Sequence, residues 1–426
     1  MLSRNLTDIS RSLVILTKPG YKMTDIGEIP EGWKIDKVSN LKESMYYGIT
    51  AKSTEQSSHL RFLRTTDISN FNFDPNDLHY CEITGTKPDL SKYYLKQGDI
   101  IVARAGTVGV SVLVKRDLPN TIFGSYLIKI AFNKDLIYAN FVHYYFQSDI
   151  YWNKLRAAQG STIKNISLPF LKALLIPVPP LQEQQKIAEV LSTADETIQK
   201  VNEEITLTEK LKKGLMQTLL TKGIGHTKFK MTQIGEIPDG WNVKELYQVS
   251  EPRKEMIEPM KYMSEHYVGL ENISPGQLRI FSYGDATDLK SSKFKFKKGD
   301  ILYGKLRPYL DKVALAETDG VCSTDIIPIV SRNVNARFLA YMLHSDLFLQ
   351  FVKSTISGTN HPRTAWKQMS LFLVPFPSIS EQQKIAEILT TVDRKLELLR
   401  NKRAHLEELK KGMMEDLLTG RVRVKV

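Results

Sequence analysis

The sequence has few cysteines and no long apolar run. Its 426 residues include two cysteines, Cys81 and Cys322, which stand in no CxxC pair, so neither a disulfide framework nor a thiolate zinc site is expected. The N-terminal apolar run Leu13–Leu16 has four residues, whereas a membrane-spanning helix needs about 20 and the core of a signal peptide about 7 to 15. These absences predict a reduced, cytoplasmic setting.

The motifs that accompany common catalytic centres are also missing. The sequence has neither a GxxxxGK[ST] phosphate loop nor a GxGxxG string, and the pair Gly304-Lys305 is followed by Leu306. In Asp74–Asp77 an aspartate stands where an amino-methyltransferase loop needs an aromatic residue, and turn chemistry explains this string better. The histidines form no HxxxH or HExxH pair. We therefore expect no catalytic residue and no metal site.

Positive charge is what the sequence has in excess. The formal net charge is +12 and the pI is about 9.3, while the 42% of hydrophobic residues is enough for folded domains; the length predicts about two to four of them. Residues 181–222 carry a net charge of −1 and residues 379–426 one of +3, so +10 lies elsewhere. A basic excess favours nucleic acid as a partner, although ordinary solubility would explain it equally well.

The chain contains one series of motifs twice. The strings and their second copies are KMTDIGEIPEGW at 22–33 and KMTQIGEIPDGW at 230–241, GDI at 98–100 and 299–301, IPVPPLQEQQKIAE at 176–189 and VPFPSISEQQKIAE at 374–387, and LKKG at 211–214 and 409–412. The offset between copies falls from 208 to 201 and then stays at 198 residues. Insertions and deletions therefore precede the proline-rich stretch. This pattern indicates an internal duplication whose last segment has a fixed length.

The fixed-length segment of each copy has the pattern of a long helix. Its apolar residues alternate at spacings of four and three, which is a heptad seam. The seam residues are Ile187, Leu191, Ala194, Ile198, Val201, Ile205, Ile385, Leu389, Val392, Leu396, Leu399 and Leu406. Ser380 and Gln383 form a capping-box pattern at the start of the second helix, and Gly223 and Gly420 stand where the helices would end with a positive φ. Helices of about 40 residues would be roughly 60 Å long.

A seam of this length needs a partner helix. We favour antiparallel pairing of the two copies within one chain, which would carry a pseudo-twofold axis. The alternatives are that each helix packs on its own globular region, or that the seams join two chains. The predicted fold class is α+β, with two mixed α/β globular regions separated by two long helices that form an antiparallel coiled coil.

Between the repeated strings, the pattern is that of mixed α/β structure. Strands are predicted at Ile100–Val102, Val110–Val114 and Ile128–Phe132, and in the second copy at Ile301–Tyr303, Val313–Ala316 and Ile326–Val330. Helical periodicity covers Ala139–Ala157 and Ala336–Ser354. Each copy is therefore expected to fold as a globular region followed by a long helix.

Segments that are expected to be loops combine basic, hydroxyl and aromatic side chains with glycine. Arg and Lys pair with phosphates or guanine edges, Asn can pair with adenine, and Thr can do either. The candidate DNA-binding residues are Arg61, Arg64, Thr65, Thr66, Arg104, Thr107, Ser161, Thr162, Lys164, Arg253, Lys254, Lys305, Arg307, Tyr309, Thr359, Asn360, His361 and Arg363. Any one of them could equally belong to a solvated loop. The hypothesis depends on their recurrence at corresponding places in both copies.

In order and duplication, these motifs resemble the specificity subunits of type I restriction–modification systems. The resemblance covers nearly all of residues 22–420, and the first globular region departs more from the family's strings than the second. GKLRPYLDK at 304–312 and SGTNHPR at 357–363 are similar to strings in that family's recognition domains.

The resemblance implies that this chain would recognise DNA and that partner subunits would carry out the reactions. Each globular region would be a target-recognition domain for one half of a split, asymmetric site in double-stranded DNA. The helices would set the spacing and dock two methyltransferase subunits, and restriction subunits would join that assembly. S-adenosylmethionine, ATP and Mg²⁺ would then be bound by those partners, and no cofactor by this chain. Two domains on one face of B-DNA should have half-site centres roughly 34–36 Å apart.

The same reading divides the chain into seven segments. They are an N-terminal segment (1–21), the first recognition domain (22–180), the first spacer helix (181–222), a linker (223–229), the second recognition domain (230–378), the second spacer helix (379–420) and a C-terminal tail (421–426). Two other functions stay open. One is a coiled-coil scaffold that does not bind DNA, and the other is a DNA-modifying enzyme with an unrecognised active site.

Overall fold

A computed structural model describes residues 19–56, 58–83, 89–159, 165–258, 266–286, 291–356 and 361–425. The chain divides into two compact units. Unit 1 comprises Met1–Lys200 and Arg403–Val426, and unit 2 comprises Val201–Lys402. Each unit contains one globular region and part of both long helices. Within the described ranges, no helix combines the length and the apolar character that crossing a membrane requires.

The globular region of unit 1 consists of short strands and short helices. Its strands are β1 (Tyr21–Thr24), β2 (Gly27–Pro30), β3 (Lys34–Lys37), β4 (Lys42–Tyr47), β5 (Lys52–Thr54), β6 (Arg61–Leu63), β7 (Tyr80–Glu82), β8 (Ile100–Ala103), β9 (Ser111–Leu113), β10 (Thr121–Phe123), β11 (Leu127–Phe132) and β12 (Leu175–Val178). Its helices are α1 (Val38–Leu41), α2 (Ala139–Tyr145), α3 (Asp149–Gln159) and α4 (Leu168–Ala173). The central sheet is antiparallel with the order β4-β11-β8-β9. A second sheet, β10-β6-β7-β5, contains the parallel pair β6 and β10.

The globular region of unit 2 repeats this topology. Its strands are β13 (Phe229–Thr232), β14 (Gly235–Pro238), β15 (Asn242–Glu245), β16 (Ser250–Pro252), β17 (Met256–Ile257), β18 (His266–Val268), β19 (Gly284–Asp285), β20 (Lys293–Phe296), β21 (Ile301–Gly304), β22 (Val313–Leu315), β23 (Gly320–Cys322), β24 (Ile326–Ser331) and β25 (Leu373–Phe376). Its short helices are α6 (Leu246–Val249), α7 (Ala336–Leu343), α8 (Asp346–Ser354) and α9 (Trp366–Met369). The central sheet has the order β16-β24-β21-β22, and a second sheet, β17-β20-β23-β18-β19, contains the parallel pair β18 and β23.

The central strands are apolar throughout because both faces of their sheet are covered. In β8, Ile100 and Val102 belong to the core beneath the helices, while Ile101 and Ala103 face a second core on the opposite side. All four side chains are completely buried. Strand β21 has the same alternation between two cores. A continuous apolar run is what a strand covered on both faces requires, and the strands predicted from such runs form β8, β9, β11, β21, β22 and β24.

Two long helices complete the fold, α5 (Leu181–Lys222) and α10 (Ile379–Thr419). In unit 1, Asp195 pairs with Lys410 at 2.6 Å, and Glu183 nearer the start of α5 pairs with Arg423, beyond the end of α10, at 2.8 Å. The helices are therefore antiparallel there. The same direction holds in unit 2, where Lys212 Nζ lies 2.7 Å from Asp393 Oδ1. The predicted α+β fold with two repeated regions and antiparallel long helices is confirmed.

A tyrosine fastens each globular region to this helix pair. Tyr144 of α2 donates to Asp195 at 2.9 Å, and Tyr341 of α7 donates to Asp393 at 2.7 Å. Each aspartate therefore binds the lysine of the other helix and a tyrosine of its own globular region. The helices pack on each other and on the globular regions, so the favoured pairing within one chain and the alternative packing on the globular regions occur together.

The predicted seam residues lie on the inner side of the helices. Eight of them are buried: Ile187, Leu191, Val201, Ile205, Ile385, Leu389, Leu396 and Leu399. Ala194, Ile198, Val392 and Leu406 are half-buried. At the helix starts, the seam residues join the cores of the globular regions, with Ile187 and Leu191 in the same cluster as Trp33.

The repeated tryptophan and EQQ strings meet at the helix ends. Trp33 Nε1 donates to Glu183 at 3.0 Å in unit 1, and Trp241 Nε1 donates to Glu381 at 2.9 Å in unit 2. The glycine that ends the other long helix packs against the same tryptophan, Gly420 against Trp33 and Gly223 against Trp241. Both glycines have the predicted positive φ, +73° and +67°. We call each such set of tryptophan, glutamate and glycine a helix-end clamp. The contacts within the clamp explain why both copies contain these strings.

Two local features differ in detail from the sequence pattern. The segments Ala139–Ala157 and Ala336–Ser354 are helical, as their periodicity indicates, and each is divided into two helices. The break falls at Ser148 and Ser345, whose hydroxyls accept from backbone N–H groups three residues later; a serine in this position caps the second helix and turns the chain. The cap of α10 is Ser378 rather than Ser380, since Ser378 Oγ accepts from Glu381 N at 3.3 Å. The seven segment boundaries stay predictions.

Candidate nucleic-acid interface

In each unit, the loop after the central strand contacts the segment that precedes the last short helix. In unit 2, Leu306 and Arg363 form an antiparallel bridge, and Arg307 N donates to Pro362 O at 2.8 Å. In unit 1, Ile166 N donates to Arg104 O at 3.0 Å, and the corresponding contact in unit 2 is from Thr364 N to Lys305 O at 3.1 Å. In both units, a basic loop therefore meets the described segment that leads into the last short helix, and in unit 2 that segment carries the candidate Arg363. We call this place the paired-loop site.

The loop of unit 2 turns sharply at this site. Arg307 and Asp311 have φ values of +49° and +51°, on either side of the short 3₁₀ turn Pro308–Leu310. Left-handed backbone at residues other than glycine is uncommon and clusters at functional positions. Asp311 O accepts from Gly276 N at 3.0 Å, and its carboxylate lies 2.7 Å from His344. These contacts hold the turn so that Arg307 and Tyr309 are exposed.

Some candidate residues have the exposure that a contact with DNA requires. Thr66, Thr107, Lys254, Arg307, Tyr309 and His361 are exposed, and Thr65, Arg104 and Lys305 are half-buried. Arg104 lies over the ring of Tyr47 at 4.5 Å and donates to Asn165 Oδ1 at 3.3 Å. Lys305 occupies the position in unit 2 that corresponds to Arg104. The candidates Ser161, Thr162, Lys164, Thr359 and Asn360 lie outside the described residues.

Two candidate arginines of the first copy are bound within unit 1. Arg61 donates to the carbonyl oxygens of Asn76 and Leu78 at 2.8 and 2.9 Å. Arg64 makes a two-pronged hydrogen bond to Asp67 at 2.6 and 3.1 Å, and this bond raises the pKa of the guanidinium. Arg61, in strand β6, therefore anchors the segment that precedes β7, and Arg64 stabilises the turn that follows β6.

Two candidate arginines of the second copy also have internal partners. Arg253 donates to both carboxylate oxygens of Asp300 at 2.7 and 3.0 Å, which raises the pKa of Arg253. Arg363 uses only its Nε toward Asp325, at 3.1 Å. The terminal nitrogens of Arg363 are thus the more accessible for an external anion.

The repeated GDI string is structural rather than a binding motif. Asp99 and Asp300 accept from the backbone N–H groups of Lys96 and Lys297, each at 2.8 Å. The glycine before each aspartate has a φ of +91°. Burial raises the pKa of Asp99, and Lys129 lies 3.5 Å away. Each GDI aspartate therefore closes a turn and pairs with a cation, which is Lys129 for Asp99 and Arg253 for Asp300.

Apart from Tyr309, the sequence analysis did not identify the aromatic residues near these loops. Tyr126 is 64% exposed and its carbonyl accepts from Arg104 N. In unit 2, Phe294 and Trp366 line a cavity of about 400 Å³ together with Arg253, Lys254, Lys305 and Arg363. Only Trp366 offered a sequence clue, because it stands three residues after Arg363 in a polar string.

Neither cysteine is placed for chemistry at these loops. Cys81 and Cys322 are both buried free thiols, and burial raises the pKa of Cys81 to about 11. Over the described ranges, no group of three or more His, Cys, Asp or Glu side chains could hold a metal ion.

The duplicated α+β fold with two long helices is also the fold of a solved protein. The crystal structure of a type I restriction–modification system S subunit from M. genitalium superposes with a TM-score of 0.56 over 94% of this chain and 99% of that one, at 17% sequence identity. The likeness places this chain in the structural class of proteins that carry two such globular regions and two long helices.

The sequence comparisons define the family. The model of the type I restriction modification DNA specificity domain matches twice, at residues 20–209 and 238–408, and the chain belongs to this family. It is 28% identical to the putative type I restriction enzyme MjaX specificity subunit of Methanocaldococcus jannaschii, over 95% of this chain and 97% of that protein. It is 30% identical to the MjaVIII specificity subunit of the same organism over 63% of this chain and 66% of that protein. Specificity subunits are non-catalytic members of type I restriction–modification systems.

Proposed function

We propose that each globular region reads one half of a bipartite, asymmetric DNA site through its paired-loop site. The observation that carries this proposal is that both units build the same site with different side chains. Unit 1 presents Arg104 and Thr107 there, while unit 2 presents Lys305, Arg307 and Tyr309. Arginine pairs with guanine edges and lysine with phosphates or guanine. One scaffold with two sets of side chains is suited to two different half-sites.

In the same proposal, the long helices set the distance between half-sites and dock two methyltransferase subunits. The Asp195–Lys410 pair in unit 1 and the Asp393–Lys212 pair in unit 2 hold the helices antiparallel within each unit, which supports this part of the proposal. Leu207, Leu211 and Leu398 of unit 2 are 65%, 56% and 70% exposed on these helices. Leu207 and Leu211 stand four residues apart on α5, and Leu398 lies on α10. Exposed leucines one helical turn apart support a protein-binding surface on α5.

The proposal assigns the reactions to partner subunits. S-adenosylmethionine would be bound by the methyltransferase subunits, and ATP and Mg²⁺ by restriction subunits. This chain would bind no cofactor and would act in the cytoplasm, where its DNA target is accessible.

Sequencing of methylated adenines tests the proposal directly. The chain is expressed with its neighbouring methyltransferase gene, and genomic DNA is sequenced by a single-molecule method that detects modified bases. The expected result is a split, asymmetric motif that disappears when this chain is deleted. A motif that survives the deletion would contradict the proposal.

Salt dependence separates DNA recognition from a scaffold function. If basic residues contact phosphates, the logarithm of the DNA affinity should fall linearly with the logarithm of salt concentration. Binding is measured with the assembled chain and methyltransferase subunits between about 50 and 200 mM salt, a range over which phosphate contacts strongly change affinity. Affinity that does not change with salt, or no binding, would favour the scaffold.

A further inference from the structure

The cavity beside the paired-loop site of unit 2 has walls of a kind that suits a nucleotide. Its volume is about 400 Å³, which falls within the roughly 300–1,000 Å³ of small-molecule sites. Phe294 and Trp366 supply aromatic surface, and Lys254, Lys305 and Gln368 supply polar groups. The cavity lies wholly within unit 2.

Two buried polar atoms of this cavity have no hydrogen-bond partner in the described part of the chain. They are Thr364 Oγ1 and Gln368 Oε1. Thr364 is only 3% exposed. Leaving a buried polar atom unpaired costs free energy, so such atoms are rare in folded proteins. Their presence at a cavity wall indicates a ligand that supplies the missing hydrogen bonds.

The cations around the cavity differ in their availability. Arg253 is bound to Asp300, and Arg363 shares one nitrogen with Asp325. In contrast, neither Lys254 nor Lys305 forms an ion pair with any described residue, and Lys254 is exposed. These two lysines are available to phosphates at the cavity mouth.

Unit 1 provides an internal comparison at the same positions. The residues that correspond to Thr364, Trp366 and Gln368 at the constant offset of 198 are Ile166, Leu168 and Phe170. Ile166 is completely buried, and the amide of Leu168 donates to the Tyr47 hydroxyl at 3.0 Å. Unit 1 therefore has apolar side chains where unit 2 has polar atoms without partners.

From these observations we infer that the cavity of unit 2 holds one DNA nucleotide whose base has left the helical stack. A stacked base pair shows only its edges in the grooves and could not enter such a cavity. A base outside the stack can lie against Trp366 or Phe294, donate a hydrogen bond from its edge to Gln368 Oε1 and form another with the Thr364 hydroxyl. Lys254 and Lys305 would bind the adjoining phosphates. The inference rests on the proposed function, and it adds that unit 2 recognises one position of its half-site by extrusion.

Mismatch scanning tests the inference, because a mispaired base costs less to extrude. The assembled complex of this chain and methyltransferase subunits is titrated with duplexes of the methylated motif that carry one mismatch at each position of the half-site read by unit 2. A mismatch should raise affinity about three- to tenfold at the position extruded into the cavity, and also at the adenine that the methyltransferase subunit extrudes for its reaction. At the other recognised positions a mismatch should lower affinity.

The test variant gives the cavity the residues of unit 1, with Thr364→Ile, Trp366→Leu and Gln368→Phe combined. This variant should lose the rise in affinity that a mismatch causes at the position extruded into the cavity. The gain at the adenine that the methyltransferase extrudes should remain. The matched control carries Leu168→Trp and Phe170→Gln in unit 1, and its mismatch profile should equal that of the original chain. Because the combined variant could fold poorly, Gln368→Phe alone is measured as well, and it should reduce the gain.

Each other outcome overturns the inference in a recognisable way. In one such outcome, the complex binds the motif specifically and yet shows no rise in affinity at a mismatch that depends on the cavity residues. That result would reject extrusion and leave the proposed function intact. Absence of sequence-specific binding would reject both. Deoxynucleoside monophosphates are titrated in parallel, with Trp366 fluorescence as the readout. Tight binding of a monophosphate that duplex DNA does not displace would assign the cavity to a free nucleotide instead.

Discussion

Arginine side chains in this protein differ in what their guanidinium groups contact. Arg307 is exposed on a left-handed turn, whereas Arg253 is bound by both oxygens of Asp300, a residue that is only 4% exposed. The same residue type therefore has different roles at two places in unit 2. An arginine with an internal carboxylate stabilises the fold, and an exposed one is available to DNA.

Substitution of these two arginines should therefore have separable effects. Arg307→Ala should weaken binding of the methylated motif by about 1–3 kcal/mol and relax one base position, with little change in thermal stability. Arg253→Ala leaves Asp300 buried without its partner, which should destabilise unit 2 by about 3 kcal/mol while the motif stays the same. Thermal unfolding and methylation sequencing of both variants measure this difference. A uniform loss of affinity across all DNA sequences would make Arg307 a phosphate contact.

His143 makes unit 1 sensitive to acid. Burial, with Lys410 nearby, lowers the pKa of His143 to about 4, and its ring accepts from Gln147 at 2.9 Å in the neutral form. The unfolded chain binds a proton near the ordinary histidine pKa of about 6.5, so protonation favours unfolding between these values. The stabilising contribution of neutral His143 is complete above pH 6.5 and is lost as the pH falls toward 4.

The variant His143→Ala should flatten this pH dependence. Unit 2 has Ala340 at the corresponding position. Between pH 6.5 and 4.5, the free energy of unfolding of the original chain should fall by up to about 1.4 kcal/mol per pH unit more than that of the variant. Denaturant unfolding at several pH values measures the two slopes, and equal slopes would show that His143 is protonated in the folded state.

At the scale of elements, the helix-end clamps join parts of the chain that are far apart in sequence. Trp33 binds Glu183 at the start of α5 and packs against Gly420 at the end of α10. A Cβ atom on Gly420 would lie 2.5 Å from Pro30, and the φ of Gly420 is +73°. Both the space and the backbone conformation therefore require glycine.

Substitution of Gly412, inside α10, and of Gly420, at its end, by alanine should change the stability of the protein in opposite directions. Gly420→Ala should destabilise unit 1 by roughly 2–4 kcal/mol through backbone strain and a clash with Pro30. Gly412→Ala is the matched control, because nothing lies within 4 Å of its added Cβ. In the interior of a helix that change should stabilise by about 0.5–1 kcal/mol. Calorimetry of both variants checks the sign, and equal effects would refute the clamp.

At the scale of the whole molecule, the chain is a duplication whose two globular regions share a topology and differ in their exposed side chains. The central sheets have the same order and the parallel strand pair recurs. The repeated strings lie in turns, helix ends and cores, whereas Arg104 and the Lys305–Arg307 segment occupy corresponding positions with different residues. Under the proposed function, exposed side chains of one globular region could change without a change in the repeated frame of turns, helix ends and cores.

Lengthening both helices should lengthen the gap in the recognised site. Seven residues inserted after Lys200 in α5 and after Lys402 in α10 preserve the heptad seam and add about 10 Å at 1.5 Å per residue. That length corresponds to about three base pairs at 3.4 Å each. Methylation sequencing reports the spacer of the motif, and insertion into α5 alone is the control, which should lose activity. An unchanged spacer in the double insertion would reject the helices as the spacing element.

Periodicity and duplication in the sequence by themselves determined the architecture of this protein. Heptad spacing predicted α5 and α10, and apolar runs predicted the central strands, because both patterns arise from contacts that repeat every few residues along one element. The positive φ at Gly223 and Gly420 followed from their position after the last helical turn. These features are local, so neighbouring residues are sufficient to specify them.

The tertiary structure alone decided which candidate residues are available for binding. Arg253 and Asp300 are 47 residues apart, and no local pattern pairs them. The cavity of unit 2 combines Lys254, Phe294, Lys305 and Trp366, which are far apart in sequence and are brought together only by the tertiary fold. The break at Ser345 was missed because helical periodicity continues across it. Whether a side chain faces solvent, an internal carboxylate or a cavity depends on distant parts of the chain, and sequence spacing does not record that.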